Sequence, residues 1–231
     1  MVMSLGDRMK EYEGASKNYL TRRTPVIVRI DGRAFHTYTK GFNKPYDDGI
    51  SSAMFKTALC LFTNVQNCKL AYTQSDEISL LLVDYDEIDT EAWFKNSVQK
   101  IVSVSASLAT AVFNSPQLRD DILATFDSRA FNIPVNDVNN YFVFRQRDCI
   151  RNSIEALAHS LFKQKQLSGI CCNNLKEKIF KDKNIDWDFD VADKYKYGTC
   201  IYRTDMGITK SNCVQFSKNS SFVNYLVGAN D

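Results

Sequence analysis

The order of short apolar runs and longer amphipathic stretches is the feature that most constrains how this chain folds. The run PVIVRI before Asp31 predicts a strand, and apolar residues every three or four positions between Asp47 and Val65 predict a helix. Residues 69–74 and 77–83 indicate a hairpin, and residues 126–135 another strand. Residues 90–113 alternate in part as a strand would, but their length, alanine content and the cap at Thr90 favour a helix. This order predicts an α+β fold, a βαββαβ antiparallel sheet with helices packed on one face.

The rest of the chain predicts one compact unit with an appendage. Residues 4–20 have the pattern of an amphipathic helix, residues 136–163 that of a long helix, and the Lys-rich remainder contains one clear strand, KYGTCIYR. We find no Pro/Gly/Ser-rich linker, repeat or low-complexity tract. We therefore expect a catalytic core over residues 1–135 and a helical and β C-terminal extension over residues 136–231 that packs on it.

Composition excludes several classes of protein. The chain is 44% apolar with a formal charge of +2, so any site for a polyanion must be local. Seven cysteines without a C-x-x-C pair, with only two histidines, argue against a zinc site or a disulfide framework. We see no secretory signal and no apolar run long enough to span a membrane, and expect a soluble protein in the cytoplasm, with an organelle left open.

Two acidic positions stand where predicted strands end. Asp31 closes the first strand before Gly32, and Asp76 lies at the tip of the hairpin between Ser75 and Glu77. Neighbouring strands would bring both carboxylates to one edge of the sheet, as Mg²⁺ and phosphoryl transfer require. The structural alternative is a D-G turn and a polar hairpin tip. Arg29 and nearby cations shift the balance towards a phosphate site.

Two further residues near the first strand have a functional and an ordinary interpretation. His36 is either a general base or donor to a nucleotide, or a loop histidine with satisfied hydrogen bonds. Lys44, which precedes Pro45, offers a point charge to a phosphate, although exposed lysines usually have no specific role. The sequence pattern alone leaves both alternatives open.

At RIDGRAFHTYTKGFNKPYDD and AYTQSDEISLLL, the chain resembles the tRNA-His guanylyltransferase family and its relatives, the guanylyltransferase-like 3′-to-5′ polymerases. WFKNSVQK, FDSRAFNIP, FRQRDCIRNS and KYKYGT extend the resemblance over most of residues 25–200. It implies a palm-like catalytic domain that activates the 5′ phosphate of a tRNA or tRNA-like RNA with ATP or GTP. The 3′-hydroxyl of an incoming nucleotide then attacks that end. The resemblance also implies two Mg²⁺ ions and a homotetramer built as a dimer of dimers.

The resemblance assigns roles residue by residue. Asp31 and Asp76 become the catalytic metal ligands, with the Gly32 carbonyl as a third. The expected nucleotide-binding positions are Arg29, Arg33, Ala34, Phe35, His36, Lys44, Ser75 and Glu77; those for the activating triphosphate are Lys95, Lys100, Arg129 and Asn152; and those for RNA are Arg145, Arg147 and Arg151. A solvated helix face explains the last three equally well without the resemblance.

Two departures from the family pattern refine the expected activity. Enzymes specific for tRNA-His have H-I-N-N where this chain has Ile150-Arg151-Asn152-Ser153, so the sequence resembles the template-dependent repair branch. Ser97 stands where relatives often have a cation, a loss for which Lys95 could compensate. The alternatives are a tRNA-His-specific guanylyltransferase, a cyclase-like palm enzyme, although G-G-D-E-F is missing, and a non-catalytic RNA-binding module.

Overall fold

The structure is a computed structural model that describes residues 3–228. Within that range one antiparallel sheet has the strand order β4-β1-β3-β2-β5-β6. Its strands are β1 (Val26–Arg33), β2 (Cys68–Gln74), β3 (Glu77–Leu82), β4 (Thr125–Asn132), β5 (Thr199–Thr204) and β6 (Gly207–Ser211). The helices are α1 (Leu5–Gly14), α2 (Phe35–Tyr38), α3 (Asp48–Asn64), α4 (Val98–Asn114), α5 (Val135–Leu161), α6 (Cys172–Lys183), α7 (Trp187–Asp190), α8 (Asp193–Lys196) and α9 (Ser220–Leu226).

Helices α3 and α4 cover one face of the sheet, as the sequence predicts. Alternate residues of β1 and β3, including Val28, Ile30 and Leu80, are buried against the apolar faces of these two helices. The carboxylate of Asp47 caps α3 by accepting a hydrogen bond from the Ile50 amide at 3.0 Å. The order β1-α3-β2-β3-α4-β4 confirms the predicted βαββαβ core.

The C-terminal extension covers the opposite face and widens the sheet. Ile27 and Leu81, whose side chains lie on the other side of β1 and β3, pack with Val138 and Phe142 of α5. Strand β5 pairs with β2, and α6 and α7 pack on the C-terminal half of α5. The extension thus shares its sheet with the core. Residues 1, 2 and 229–231 of the two expected segments lie outside the described residues.

Two predicted helices differ from the structure. Helix α4 begins at Val98, because Phe94, Lys95 and Asn96 adopt left-handed conformations in a 3₁₀ turn, Trp93–Asn96, before it. Thr90 therefore does not cap α4, and its hydroxyl accepts a hydrogen bond from the Glu87 amide at 2.9 Å. Helix α1 is shorter than predicted and contains no buried residue. No helix within residues 3–228 combines the length and hydropathy needed to cross a membrane.

Candidate active site

Strand pairing brings Asp31 and Asp76 to the same edge of the sheet. In the antiparallel register of β1 and β3, Asp31 lies opposite Glu77, the residue that follows Asp76. The next residue of β1, Gly32, donates its amide to the Asp76 carbonyl at 3.0 Å. Two acidic residues that are far apart in the chain are therefore held next to each other by backbone hydrogen bonds of the central strands.

The segment Asp31-Gly32 belongs to a strand, so the alternative interpretation as a turn is wrong. Strand β1 continues to Arg33, which pairs with Thr125 of β4. Gly32 is required for packing, because a Cβ at this position would lie 2.8 Å from Cε2 of Phe35. The Phe35 ring contacts Phe126 and Phe113 beneath the edge of the sheet. Gly32 thus lets α2 turn back closely after the carboxylate.

Asp76 occupies a two-residue turn that is built to present its side chain. Ser75 adopts a left-handed conformation with φ of 48°, and its hydroxyl donates to Oδ1 of Asp76 at 3.0 Å. Burial raises the pKa of Asp76, the Ser75 hydroxyl opposes the rise, and the negative charge of Asp31 adds to it. Neither carboxylate forms an ion pair with a lysine or arginine of the described chain. The pair is therefore under-neutralised, which favours binding of a cation.

The donor set at this edge fits Mg²⁺ bound together with a nucleotide. Across residues 3–228 no group of three or more His, Cys, Asp and Glu side chains is arranged to hold a metal ion. Mg²⁺ commonly takes one or two carboxylates from a protein and completes its octahedron with water and phosphate oxygens. Asp31, Asp76 and the adjacent carbonyl of Gly32 match that requirement.

A cavity of about 230 Å³ opens beside the hairpin tip. Ser75, Asp76, Lys44 and Asn152 contribute polar groups to its wall, whereas Phe42, Ile50 and Met54 are among its apolar lining residues. Phe35 also lines it, and is otherwise buried in the core. The exposed His36, Arg33 and Ala34 lie at the start of α2, directly after the metal-binding candidates. An apolar slot beside a lysine and other polar groups is suited to a nucleotide.

Two tyrosines that the sequence interpretation missed form another wall of the cavity. The rings of Tyr46 and Tyr195 stack with centroids 4.4 Å apart and planes 11° apart. The hydroxyl of Tyr195 donates to Asp48 at 2.7 Å, and that of Tyr46 donates to the Ser153 carbonyl at 2.8 Å. These contacts tie the segment that carries Lys44 to the C-terminal extension. The motif KYKYGT contains Tyr195, but its spacing gives no indication of this partner.

Gln74 is a second lining residue without a sequence signal. It is 5% exposed, and its Oε1 has no hydrogen-bond partner among the described residues. Leaving a buried amide without a partner is costly. Because Gln74 lines the cavity, a bound molecule can supply the missing hydrogen bond.

Two arginines lie opposite each other on β1 and β4, next to the carboxylates. Arg29 pairs in register with Arg129, two residues before Asp31 pairs with Asp127. Nε of Arg29 is buried without a hydrogen-bond partner in the described chain, and Arg129 has a long 3.4 Å contact to Asp127. Like charges at a cross-strand pair are unfavourable, so an anion placed between them would be stabilising.

The structure does not bring Lys95 or Lys100 to this cavity. The Asn96 carbonyl accepts from the Leu20 amide at 2.9 Å, and the Asn96 side chain donates to the Thr21 carbonyl at 3.2 Å. Thr21 contacts Asn132, which pairs with the first residue of β1. From Val26, that first residue, to Asp31, strand β1 spans about 17 Å. Within one chain, both lysines therefore lie towards the far end of the sheet.

The predicted RNA-binding strip on α5 requires a correction. Arg145 is buried and forms ion pairs with Glu77 at 2.7 Å and Asp148 at 3.0 Å, so it faces the sheet and cannot contact RNA. The same ion pair occupies Glu77, which makes it unavailable as a nucleotide contact. Arg147 and Arg151 are exposed and four residues apart on α5. Only these two share a solvent-facing surface.

Fold and site together define a nucleotidyltransferase with a palm-like sheet. A model of the family tRNAHis guanylyltransferase matches residues 6–134, more than half of the chain. The chain belongs to this family.

Solved structures and curated relatives agree with this assignment. A bacterial tRNA(His) guanylyltransferase-like protein in complex with ATP superposes with a TM-score of 0.93, is 43% identical, and covers 98% of this chain and 100% of its own. A bacterial protein of the same description in complex with GTP has a TM-score of 0.82 and 40% identity, over 97% and 99% of the two chains. The tRNA(His) guanylyltransferase of Debaryomyces hansenii is 28% identical over 88% of this chain and 82% of its own length.

Proposed function

We propose that this protein adds nucleotides to the 5′ end of tRNA or tRNA-like RNA in the 3′-to-5′ direction, directed by the opposite strand as template. The observation that carries the proposal is the convergence of Asp31 and Asp76, neither paired with a cation in the described chain, beside a cavity lined by Lys44 and Ser75. Phosphoryl transfer depends mainly on positioning and on neutralisation of charge, which such a site supplies without a protein nucleophile.

Each part of the site has a distinct role in this proposal. Asp31, Asp76 and the Gly32 carbonyl would hold two Mg²⁺ ions, which neutralise the charge that develops on the transferred phosphate. Lys44 and Ser75 position the phosphates of ATP or GTP, and Asn152 contributes a further polar contact from α5. The apolar residues on the α3 side of the cavity receive the base. Arg29 and Arg129 attract a phosphate to the next positions of the sheet.

The repair activity is favoured over strict specificity for tRNA-His by the segment Ile150–Ser153. Ser153 of this segment is buried and accepts a hydrogen bond from the indole of Trp187 at 3.1 Å, while its neighbour Asn152 lines the cavity. The segment that departs from the tRNA-His-specific pattern therefore lies at the site itself. A departure at this position is expected to change which RNA ends are accepted.

We further propose a homo-oligomer, a dimer of dimers. Lys95 and Lys100 can contribute to triphosphate binding only if a second copy presents them, because each lies far from the cavity of its own chain. Helix α1 supports the same idea, since Leu5, Met9 and Tyr12 are all exposed on it. Light scattering after size-exclusion chromatography should give four times the mass of one chain, and a monomeric mass would contradict this part of the proposal.

The activity is tested by incubating the protein with 5′-truncated, 5′-monophosphorylated tRNA, Mg²⁺, ATP and labelled nucleotides. Labelled nucleotides complementary to the template should appear at the 5′ end, and Asp31→Ala or Asp76→Ala should abolish their addition. Asp205→Ala is the matched control, because Asp205 is exposed at the tip of the β5–β6 hairpin of the same sheet.

Other outcomes support the alternative functions. Addition of a single guanosine to tRNA-His alone would indicate a tRNA-His-specific enzyme. A labelled cyclic mononucleotide would indicate a cyclase, and RNA binding without any labelled product would indicate a non-catalytic module.

A further inference from the structure

A buried ion pair connects α5 to the catalytic edge of the sheet. The guanidinium of Arg145 donates from Nε to Oε1 of Glu77 at 2.8 Å and from Nη2 to Oε2 at 2.7 Å. Its third nitrogen, Nη1, lies 3.0 Å from Asp148. The side chains of Arg145 and Glu77 are only 10% and 6% exposed. This two-pronged geometry is the strongest that arginine and a carboxylate form.

Glu77 would otherwise be a third free carboxylate at the metal-binding edge. It follows Asp76 directly in the chain and lies opposite Asp31 in the register of β1 and β3. Arg145 engages both of its oxygens, and the Ser79 hydroxyl also donates to Oε1 at 3.3 Å. Asp127, on the other side of Asp31, is 57% exposed, so solvent screens its charge. The Glu77 carboxylate is therefore held from α5 by Arg145, and the charge of Arg29 on β1 acts on it as well.

We propose that Arg145 is a positioning residue that holds and neutralises Glu77, so that the site presents two free carboxylates to divalent cations instead of three. The inference rests on the proposed function, since it concerns the cation site of that reaction. The number and charge of the carboxylates set how tightly and where a divalent cation binds. By withholding Glu77, Arg145 directs cations to Asp31 and Asp76, where the phosphates of a nucleotide complete the coordination.

This role predicts effects of opposite sign for the two partners. Arg145→Met frees a carboxylate beside Asp31 and Asp76, so binding of Mn²⁺ should become tighter, by roughly ten-fold. Glu77→Gln removes one of the two carboxylates that pair with Arg145 and leaves Asp148. The charge beside the site becomes more positive, so binding should become weaker by a similar factor. The double variant Glu77→Gln/Arg145→Met restores the original balance of charge and should bind Mn²⁺ like the wild type. A purely structural ion pair would weaken binding in both single variants.

The test is a titration of the full-length protein with Mn²⁺, followed by electron paramagnetic resonance in the absence of nucleotide and RNA. Arg22→Met is the matched control, because Arg22 pairs with the buried Asp84 at 2.9 Å near the opposite end of the sheet, and its loss should leave Mn²⁺ affinity unchanged. Arg145→Lys keeps the charge without the two-pronged geometry and should lie between Arg145→Met and the wild type. Circular dichroism establishes which variants are folded.

Each outcome supports or overturns the inference. Equal losses of affinity in Arg145→Met and Glu77→Gln, or unchanged affinity in both, would overturn it. If Arg145→Met does not fold, the double variant decides, because affinity as low as that of Glu77→Gln alone would contradict neutralisation by Arg145. Failure of the proposed function is distinguishable, since in that case the wild type and Asp31→Asn would bind Mn²⁺ equally weakly.

Discussion

Replacing Gly32 by alanine should destabilise the protein and displace the carboxylate edge at the same time. A Cβ at Gly32 would lie 2.8 Å from Cε2 and 2.9 Å from Cγ of Phe35, and closer still to Cδ2, whereas ordinary contacts begin at 3.4 Å. The ring cannot withdraw freely, because its centroid lies 5.2, 5.4 and 5.6 Å from those of Tyr38, Phe113 and Phe126. Forcing such a shift in a packed core costs about 1–3 kcal/mol.

Urea unfolding followed by circular dichroism measures the loss in free energy of unfolding for Gly32→Ala, and thermal unfolding measures the change in melting temperature. For a chain of this length, the melting temperature should fall by about 2–4 °C per kcal/mol. Phe35→Leu makes room for the methyl group, so the double variant should lose less stability than the two single losses combined. Gly14→Ala is the control, because a Cβ there meets no atom within 4 Å. Wild-type stability in Gly32→Ala, or strict additivity with Phe35→Leu, would refute the argument.

Three further predictions concern the cavity and the carboxylate edge. Gln74→Met removes a buried amide oxygen that has no partner among the described residues, so it should raise the free energy of unfolding by about 1 kcal/mol and weaken ATP binding, as urea unfolding and calorimetry can establish. Burial raises the pKa of Asp76, so the protonated carboxyl stabilises the folded state; this stabilisation is complete below the unfolded pKa and is lost as pH rises through the native pKa. In EDTA, Asp76→Asn should therefore melt at a higher temperature than the wild type at neutral pH, and the difference should shrink in acid. Tyr195→Phe keeps the stack on Tyr46 but loses the hydrogen bond to Asp48, so the Kd for ATP should rise about 2- to 12-fold, and an unchanged Kd would contradict a positioning role.

Local pattern was sufficient for the core of the fold. The β-branched run before Asp31 and the apolar spacing after Asp47 predict β1 and α3, because each reflects burial of one face of a regular element. The same pattern gives the hairpin that carries Asp76. The antiparallel register of β1 and β3 then follows from the fold, and it places Asp76 beside Asp31.

Contacts between distant residues were beyond reach of these patterns. Arg145 has the sequence neighbours of an RNA-binding arginine, but its partner Glu77 lies 68 positions earlier in the chain. Similarly, the aromatic stack of Tyr46 on Tyr195 depends on how the extension folds back over the core. The turn suggested by Asp31-Gly32 is overridden by the packing of Phe35, which requires a residue without a side chain inside the strand.

The position of Lys95 follows from chain direction, which the sequence interpretation did not use. Strand β3 starts at the carboxylate edge with Glu77 and runs away from it to Leu82. The segment that follows must therefore begin at the opposite end of the sheet, and Lys95 and Lys100 lie in it. The strand order thus explains why a residue that matches a triphosphate contact is far from the cavity of its own chain.

The most direct test of the account is to locate bound metal by anomalous diffraction from crystals grown with Mn²⁺ and a non-hydrolysable ATP analogue. Anomalous peaks should lie about 2 Å from the carboxylates of Asp31 and Asp76 and from the Gly32 carbonyl, in contact with the phosphates of the nucleotide. Mn²⁺ bound elsewhere, with both carboxylates free beside an occupied nucleotide cavity, would contradict it.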